Sequence, residues 1–223
     1  MREIPGIPYR FEDPELLALA LSHRSVGRVN NERLEFLGDS ILNFVVTARL
    51  FHLKTDNDEG ELSRLRARVV RGDTLAKLAV ELKLGDHIRL GEGELKSGGY
   101  KRNSILADTL EAIFGAIYLD GGFEACKQAI GHVCDPYIAG LPDANELKDP
   151  KTRLQEWLQG HGYPLPEYSL LSEAGPPHKK QFKVQCFAEP AGIKVTGKGG
   201  SRQKAEQDAA TAALEVIGGK SAK

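Results

Sequence analysis

The chain has 223 residues, of which 41% are hydrophobic and 27% charged. This composition and length are typical of a globular protein that buries a sufficient core without disulfide bonds or structural metal ions. A formal net charge of −1 argues at first against a nucleic-acid partner, and three cysteines without paired spacing exclude a disulfide framework or zinc site. No apolar signal region is present and no stretch approaches the length of a membrane helix, so we expect a cytoplasmic protein without a membrane partner.

Apolar residues recur with helical spacing through most of residues 13–139, so the first part of the chain is predicted to be all-α. Residues 13–15, Asp-Pro-Glu, combine a cap, a proline at the first helical position and an early acid. Further helices are predicted at 62–71 and after Asp73. The glycine-rich segment 85–103 is predicted to be loop or turn.

Three carboxylates share one side of the helix predicted from NERLEFLGDS at residues 31–40. A rotation of about 100° per residue places Glu32, Glu35 and Asp39 within a sector of roughly 60°. Surface helices usually pair such acids with Lys or Arg one turn away, but here Arg33 points elsewhere. Because the acids repel one another without compensation, the pattern indicates a cation-binding edge.

A second predicted helix, at residues 104–118, repeats this design. Ser104 is the expected N-cap, and Asp108 and Glu111 share one face. Gly115 lies one turn beyond these acids, where a missing side chain lets another backbone approach. If the two acidic faces converge, they supply four hard oxygen ligands, which suit Mg²⁺ and also Mn²⁺.

The charge changes sign beyond residues 140–150, a segment with two prolines and small polar residues that reads as a linker. Residues 1–150 carry 19 basic and 24 acidic side chains, whereas residues 151–223 carry 11 basic and 7 acidic ones. An acidic part joined to a basic part fits a metal-using domain coupled to a domain that binds a polyanion. A chance fluctuation of charge along the chain is the alternative.

The basic part is predicted to have the order α-β-β-β-α. Ser201 is expected to cap the last helix, which is rich in alanine and extends to about residue 217. The remaining elements are a helix at 152–159 and strands at 168–172, 182–187 and 193–197.

Basic side chains lie close to the predicted start of the last helix, at Lys198, Arg202 and Lys204. Free amides and the positive end of the helix dipole favour phosphate at such a place. Solubility would explain a lone lysine, but a glycine-rich loop that leads into a helix favours phosphate binding.

Three segments resemble bacterial ribonuclease III: NERLEFLGDS at 31–40, GELKSGG at 93–99 and LADTLEAIFGAIYLD at 106–120. The likeness extends from about residue 8 to about residue 218, and the α-β-β-β-α part resembles a double-stranded RNA-binding domain. It implies an all-α N-terminal endonuclease domain followed by a small α+β domain. The implied boundaries are 1–139 for the endonuclease domain, 140–150 for the linker, 151–218 for the RNA-binding domain and 219–223 for a C-terminal tail.

The resemblance also implies roles for individual residues. The implied metal ligands are Glu35, Asp39, Asp108 and Glu111, with Asp39 and Glu111 catalytic. Two further acids, Glu32 and Glu59, would touch RNA or support the site. Contacts to the minor groove, whose 2′-hydroxyls distinguish RNA, are implied for Thr152, Gln155, Glu156 and His178. Gln203 departs from the family, where many relatives have a basic residue, so the phosphate grip is expected to be slightly weaker.

Phe36 is an aromatic residue on the acidic side of its helix, about 40° from Glu32 by the same rotation. A large exposed apolar group beside a charged cleft needs a cover. Packing against another helix of the same chain is the simpler explanation. Burial of Phe36 against a second subunit is the more specific hypothesis, and the resemblance to the family implies it as well, because that family forms dimers.

We therefore expect a homodimeric, Mg²⁺-dependent endoribonuclease, without an organic cofactor, that hydrolyses double-stranded RNA. The expected products have 5′-phosphates, 3′-hydroxyls and short 3′ overhangs, as in the processing of rRNA or mRNA precursors. One rival is a non-catalytic RNA-binding or ribosome-assembly protein with the same fold, which the intact acids disfavour. Another is an all-α phosphohydrolase acting on small nucleotides, which lacks the usual His-Asp pairs here and leaves the basic domain unexplained.

Overall fold

The computed structural model describes residues 1–143, 147–176, 179–188 and 192–221, and its contacts divide the chain into the units Met1–Ala144 and Asn145–Lys223. The first unit is helical and the second combines helices with a sheet, which confirms the predicted fold class. The helices of the first unit are α1 (Pro14–Ala20), α2 (Glu32–Leu53), α3 (Glu59–Val70), α4 (Gly72–Glu81), α5 (Glu92–Lys96) and α6 (Asn103–Ala139).

Side-chain caps fix the starts of two of these helices. Asp13 caps α1 as predicted, because its carboxylate accepts a 2.8 Å hydrogen bond from a backbone N–H in the first turn. Asp58 caps α3 and forms a capping box with Glu61. The prediction that Ser104 is a cap was wrong, because helical geometry already begins at Asn103 and places Ser104 inside the first turn.

The segment 85–103 contains more helix than its glycines predicted. It includes α5 and a 3₁₀ turn at Gly99–Lys101. Gly98 joins the two with a left-handed φ of 77°, a conformation that glycine adopts at little cost. The prediction of loop or turn was wrong here because a five-residue helix is too short to show an apolar period.

The core of the first unit lies where α2 and α4 pack against α6. Helical spacing predicts that the side of α6 opposite its acids is buried, and all four residues of that side are: Leu106, Leu110, Ile113 and Ile117. On α2, helical spacing predicts an inner side of Leu34, Leu37, Ile41 and Val45, opposite the acids. Leu34 and Val45 are buried, but Leu37 and Ile41 are only half-buried. Gly38 and Leu42 are buried in their place, so the acids of α2 flank the contact with α6 instead of lying opposite to it.

Among the described residues, one helix, α2, is long and apolar enough to cross a membrane, with 22 residues and a mean hydropathy of 1.2 over its most apolar window. The expectation that no stretch approaches this length was therefore wrong for α2. The apolar character of α2 has a structural use, because this helix packs along α6 in the core of the first unit.

In the second unit, the last helix packs against a three-stranded antiparallel sheet of order β1-β2-β3, and the first helix packs against the last one. Its core includes Leu154 and Leu158 from the first helix, Cys186 from the middle strand and a row of alanines from the last helix. The elements are α7 (Pro150–Gly160), β1 (Glu167–Ala174), β2 (Gln181–Ala188), β3 (Ile193–Gly199) and α8 (Arg202–Ser221).

Local contacts explain where α7 and α8 begin. Asp149 caps α7 through a 2.8 Å bond from the backbone N–H of Lys151, so the helix begins at Pro150, two residues earlier than predicted. Ser201 caps α8 as predicted, since its hydroxyl accepts a 3.2 Å bond from the backbone N–H of Lys204.

Candidate functional site

The helices α2 and α6 cross in backbone contact at two glycines. A methyl group placed on Gly38 would lie 1.8 Å from the carbonyl oxygen of Glu111, and one placed on Gly115 would lie 2.2 Å from the carbonyl oxygen of Leu34. The role predicted for Gly115, a close approach of another backbone, is therefore confirmed. Because neither glycine has a side chain, the two acidic helix faces can meet edge to edge.

Three carboxylates converge beside this crossing. Glu35 from α2 and Asp108 and Glu111 from α6 each offer an oxygen, and these oxygens all lie within 4.8 Å of one another. All three side chains are half-buried. We call these three residues the acidic cluster.

The acidic cluster is electrostatically strained. Burial, followed by the charges of Asp39, Asp108 and Glu35, raises the pKa of Glu111 from 4.5 to about 8. Burial also raises the pKa values of Glu35 and Asp108, and the charge of Arg24 opposes both of these rises. A small divalent cation would relieve the repulsion, and a set of donors made only of carboxylate oxygens is what Mg²⁺ and Mn²⁺ prefer. The residues present therefore fit such an ion.

Asp39, the fourth predicted ligand, lies at the edge of the acidic cluster. Its side chain is exposed and its Oδ1 accepts a 2.8 Å hydrogen bond from the amide of Asn43, one turn further along α2. Its charge still contributes to the raised pKa of Glu111. Three of the four predicted ligands are thus brought together, and the fourth is close enough to act on them electrostatically.

The two supporting acids lie in different places. Glu32 lines the same cleft as the acidic cluster, and its carboxylate lies 3.8 Å from the guanidinium of Arg24. Glu59 is the first residue of α3, and its carboxylate accepts a 3.1 Å hydrogen bond from the hydroxyl of Ser63. Neither contributes an oxygen to the acidic cluster.

A cleft of about 360 Å³ opens beside the acidic cluster, and it contains residues that sequence analysis missed. Glu35 and Asp108 line it together with Arg24, Glu94 and Arg102. Arg102 precedes α6, and Glu94 belongs to α5. The basic pair Lys101-Arg102, just before the second acidic helix, was a sequence signal for Arg102. Nothing in the residue spacing indicated that Glu94 lines the same cleft.

Phe36 is 79% exposed, so packing against another helix of the same chain, the simpler explanation, was wrong. Phe44 and Phe51, on the same side of α2, are exposed by 61% and 65%. Phe44 packs edge-on against Phe123 of α6 at 5.8 Å between ring centroids. This face of α2 is therefore an apolar surface beside the charged cleft.

In the second unit, the end of β3 is packed tightly against α8. The backbone N–H of Lys198 donates a 2.8 Å bond to the carboxylate of Asp208, and a methyl group on Gly197 would lie 2.1 Å from the backbone nitrogen of Ala209. The predicted phosphate contacts from this region, Lys198, Arg202 and Lys204, have exposed side chains.

The candidates for the minor groove on α7 share one exposed side of the helix, since Thr152, Gln155 and Glu156 lie three and four residues apart. The carboxylate of Glu156 accepts a 2.8 Å bond from the ammonium group of Lys148, whose side chain is only 14% exposed. His178, the fourth candidate, lies outside the described residues.

Comparison with known proteins agrees with this geometry. A family model described as ribonuclease-III-like matches residues 13–136, and a double-stranded RNA binding motif matches residues 150–217. Ribonuclease 3 of Nitrosococcus oceani is 53% identical over 211 residues, which cover 94% of this chain and 91% of that protein. Ribonuclease 3 of Dechloromonas aromatica is 54% identical over 207 residues, 93% of each chain.

Solved structures agree for the first unit. The nuclease domain of ribonuclease III from Campylobacter jejuni matches with a TM-score of 0.58 and 43% identity, over 61% of this chain and 94% of that one. A second structure of that domain, described for flexibility in a region involved in dimer formation, matches with a TM-score of 0.57 and 46% identity, over 58% of this chain and 92% of that one. The fold and the acidic cluster define a nuclease with an attached double-stranded RNA-binding domain. The chain belongs to the ribonuclease III family, and it is an endoribonuclease.

Proposed function

We propose that this endoribonuclease hydrolyses double-stranded RNA with a divalent cation, Mg²⁺ or in its place Mn²⁺, held by the acidic cluster and Asp39. The observation that carries the proposal is the convergence of three carboxylate oxygens within 4.8 Å, beside an open cleft. Such a cation supplies a water of lowered pKa and stabilises the charge that develops on the leaving oxygen.

Different acidic residues would bind the metal ion and contact the RNA. Glu111, with its pKa near 8, would give up its proton on becoming a ligand. Asp39 would join the acidic cluster in holding the ion by turning from Asn43, and its exposed position leaves room for that rotation. We assign the catalytic roles to Asp39 and Glu111. Glu32, which lines the cleft, and Glu59 act as further acids that touch the RNA or support the site.

Attack by external water, in place of the 2′-hydroxyl, leaves a 5′-phosphate and a 3′-hydroxyl. One acidic cluster serves one scissile phosphate, whereas a duplex has two strands. A two-fold symmetric homodimer presents one site to each strand. Cuts across a minor groove are offset and leave a short 3′ overhang, of roughly two nucleotides by resemblance to the family. The exposed side of α2 around Phe36 is the surface we assign to the second copy, in line with the relative described for its dimer-forming region.

We propose that residues 1–139 cut the RNA, residues 151–218 hold it, residues 140–150 link the two parts and residues 219–223 form a tail. Binding by the second part uses the α7 side chains, the basic residues around Ser201 and His178. In the cell, this activity would serve the processing of rRNA and mRNA precursors in the cytoplasm, without a membrane or an organic cofactor.

A non-catalytic double-stranded RNA-binding protein is the alternative that shares this fold. The acidic cluster disfavours it, because a protein that only binds a polyanion gains nothing from half-buried carboxylates that repel both each other and RNA phosphates. A nucleotide phosphohydrolase would leave the second unit without a use.

The test is a labelled RNA duplex incubated with the full chain, with and without Mg²⁺, and its products sized and end-mapped. We expect cleavage only with the metal, 5′-phosphate ends and staggered cuts. Binding without cleavage under all conditions would favour the non-catalytic alternative. A single-stranded RNA of the same sequence is the matched control, and it should remain intact.

A further inference from the structure

Arg102 lines the cleft, and its guanidinium is held by polar groups in and just after α5. Nη1 of Arg102 lies 2.7 Å from the carboxylate of Glu94, and its Nη2 lies 3.4 Å from the hydroxyl of Ser97. The same hydroxyl donates to the backbone carbonyl of Glu94 at 3.0 Å. These three residues form a closed circuit of polar contacts, and two of them, Glu94 and Arg102, line the cleft together with Glu35 and Asp108 of the acidic cluster.

Glu94 is itself held in place. Its side chain is only 20% exposed, and Gly99 packs so closely that a methyl group there would lie 2.7 Å from Cγ of Glu94. The start of the segment is tied down as well, because Gly91 donates a 2.9 Å bond to the hydroxyl of Ser25, and a methyl group on Gly91 would lie 2.3 Å from the Ser25 carbonyl oxygen. The carboxylate that orients Arg102 is therefore part of a rigid loop.

Arg102 retains the capacity to bind an anion. A guanidinium has five N–H donors in a planar fork, and Glu94 and Ser97 occupy two of them. Half of the Arg102 side chain is exposed. A phosphodiester that enters this cleft meets the negative field of the acidic cluster, so an oriented cation that lines the same cleft offsets part of that repulsion.

We propose that Arg102 binds a non-bridging phosphate oxygen of the RNA backbone at the entrance of the cleft, and that Glu94 is a positioning residue that orients its guanidinium. This inference rests on the proposed function, because it takes the cleft to be the place where the RNA phosphate enters. The competing explanation is that Arg102 only neutralises the acidic cluster and Glu94 only anchors the loop.

The two explanations predict opposite signs for one substitution. Glu94→Gln removes a negative charge from an RNA-facing cleft, so simple electrostatics predicts tighter binding. If Glu94 orients Arg102, the same substitution weakens binding, by about threefold to tenfold for the loss of a charge-assisted hydrogen bond. The measurement is fluorescence anisotropy of a labelled RNA duplex with the full chain and no divalent cation. Glu92→Gln is the matched control, since Glu92 lies on the same short helix with a 91% exposed side chain.

Further variants test the circuit. Arg102→Gln should weaken binding by about tenfold and lower the slope of log affinity against log salt by roughly one phosphate contact. Arg102→Lys, which keeps the charge but loses the planar fork, should also bind more weakly than the wild type. In the Arg102→Gln background, adding Glu94→Gln should weaken RNA binding little further, because each substitution removes the same contact between Arg102 and Glu94.

Several outcomes would overturn the inference: unchanged or tighter binding by Glu94→Gln, wild-type binding by Arg102→Lys, or additive losses in the double variant. In turnover, the effect should fall on KM with kcat nearly unchanged. The affinity measurements require no cleavage. If the wild-type protein binds but does not cut, the proposed function fails while the binding results still decide the role of Arg102.

Discussion

Gly38 and Gly115 lie in backbone contact where α2 crosses α6, and neither position has room for a methyl group. This contact sets the distance between the acids of the two helices, because Glu35 and Glu111 lie within one turn of the crossing. The distance between the carboxylates of α2 and those of α6 is therefore set by the two glycines, which have no side chains to hold the helices apart.

The first prediction concerns Gly115→Ala. The new methyl would fall 2.2 Å from a backbone oxygen, which cannot rotate away, so the helices must separate. We expect a loss of stability of about 1–3 kcal/mol from overpacking and a larger loss of Mg²⁺-dependent cleavage. Urea unfolding and duplex cleavage measure the two effects. Gly72→Ala is the control, because a methyl at Gly72 meets nothing within 4 Å, and equal behaviour of the two variants would refute the role of the crossing.

The second prediction uses the raised pKa of Glu111. Its proton is bound more tightly in the folded state. In the metal-free protein, the stability that this proton contributes is therefore fully present below about pH 4.5 and is lost as pH rises through about 8. Thermal melting in EDTA should therefore show a fall in Tm between pH 6 and pH 9 that is smaller in Glu111→Gln. Glu92→Gln should keep the fall seen in the wild type.

Mg²⁺ should reverse this loss, since it stabilises the ionised form. The Tm increase on adding Mg²⁺ should be larger at about pH 9 than at about pH 6, because less of the Glu111 proton must be displaced. An increase that is independent of pH would contradict the assignment of Glu111 as a ligand.

The third prediction concerns the basic part of the chain. Removing residues 151–223 takes away 11 basic and 7 acidic side chains and leaves the acidic cluster complete. We expect the remaining chain to cleave duplex RNA at low salt and to lose activity at a lower salt concentration than the full chain. A truncated protein that is folded by circular dichroism and inert at every salt concentration would show that the basic part is needed for catalysis.

The fourth prediction concerns Phe36, which is 79% exposed beside the cleft. Phe36→Asp places a charge where we expect the second copy to pack, so light scattering should show monomers and paired cuts should be lost. Val80→Asp, at a 59% exposed position on α4, is the control and should remain dimeric. If the wild type is itself a monomer that makes staggered cuts in one encounter, the dimer assignment is wrong.

Helical periodicity explains why much of the site was predictable. The spacing of Glu35, Asp108 and Glu111 defined two acidic faces, and Gly115 marked where the helices could touch. The inner side of α2 was predicted less well, because which neighbours of Gly38 are buried depends on how the two glycines meet. Periodicity describes one helix at a time and carries no information about that contact.

Other features depend on contacts that leave no pattern in the sequence. The position of Asp39 follows from the rotation of its side chain towards Asn43. The ion pair between Glu94 and Arg102 joins α5 to the residue before α6. It lies in the segment 85–103, which was predicted to be loop or turn because of its glycines. Short irregular segments have no apolar period, so only the folded chain shows which of their side chains meet.

The most direct test of the central claim is Glu111→Gln, measured for both RNA binding and cleavage across a Mg²⁺ titration. Glutamine keeps the size of the side chain but cannot ionise, so it removes the carboxylate that would become a metal ligand, while Lys198, Arg202 and Lys204 remain untouched. We predict duplex binding close to that of the wild type and cleavage reduced by orders of magnitude at every Mg²⁺ concentration. Near-normal cleavage by Glu111→Gln would contradict the claim that these carboxylates hold the catalytic metal.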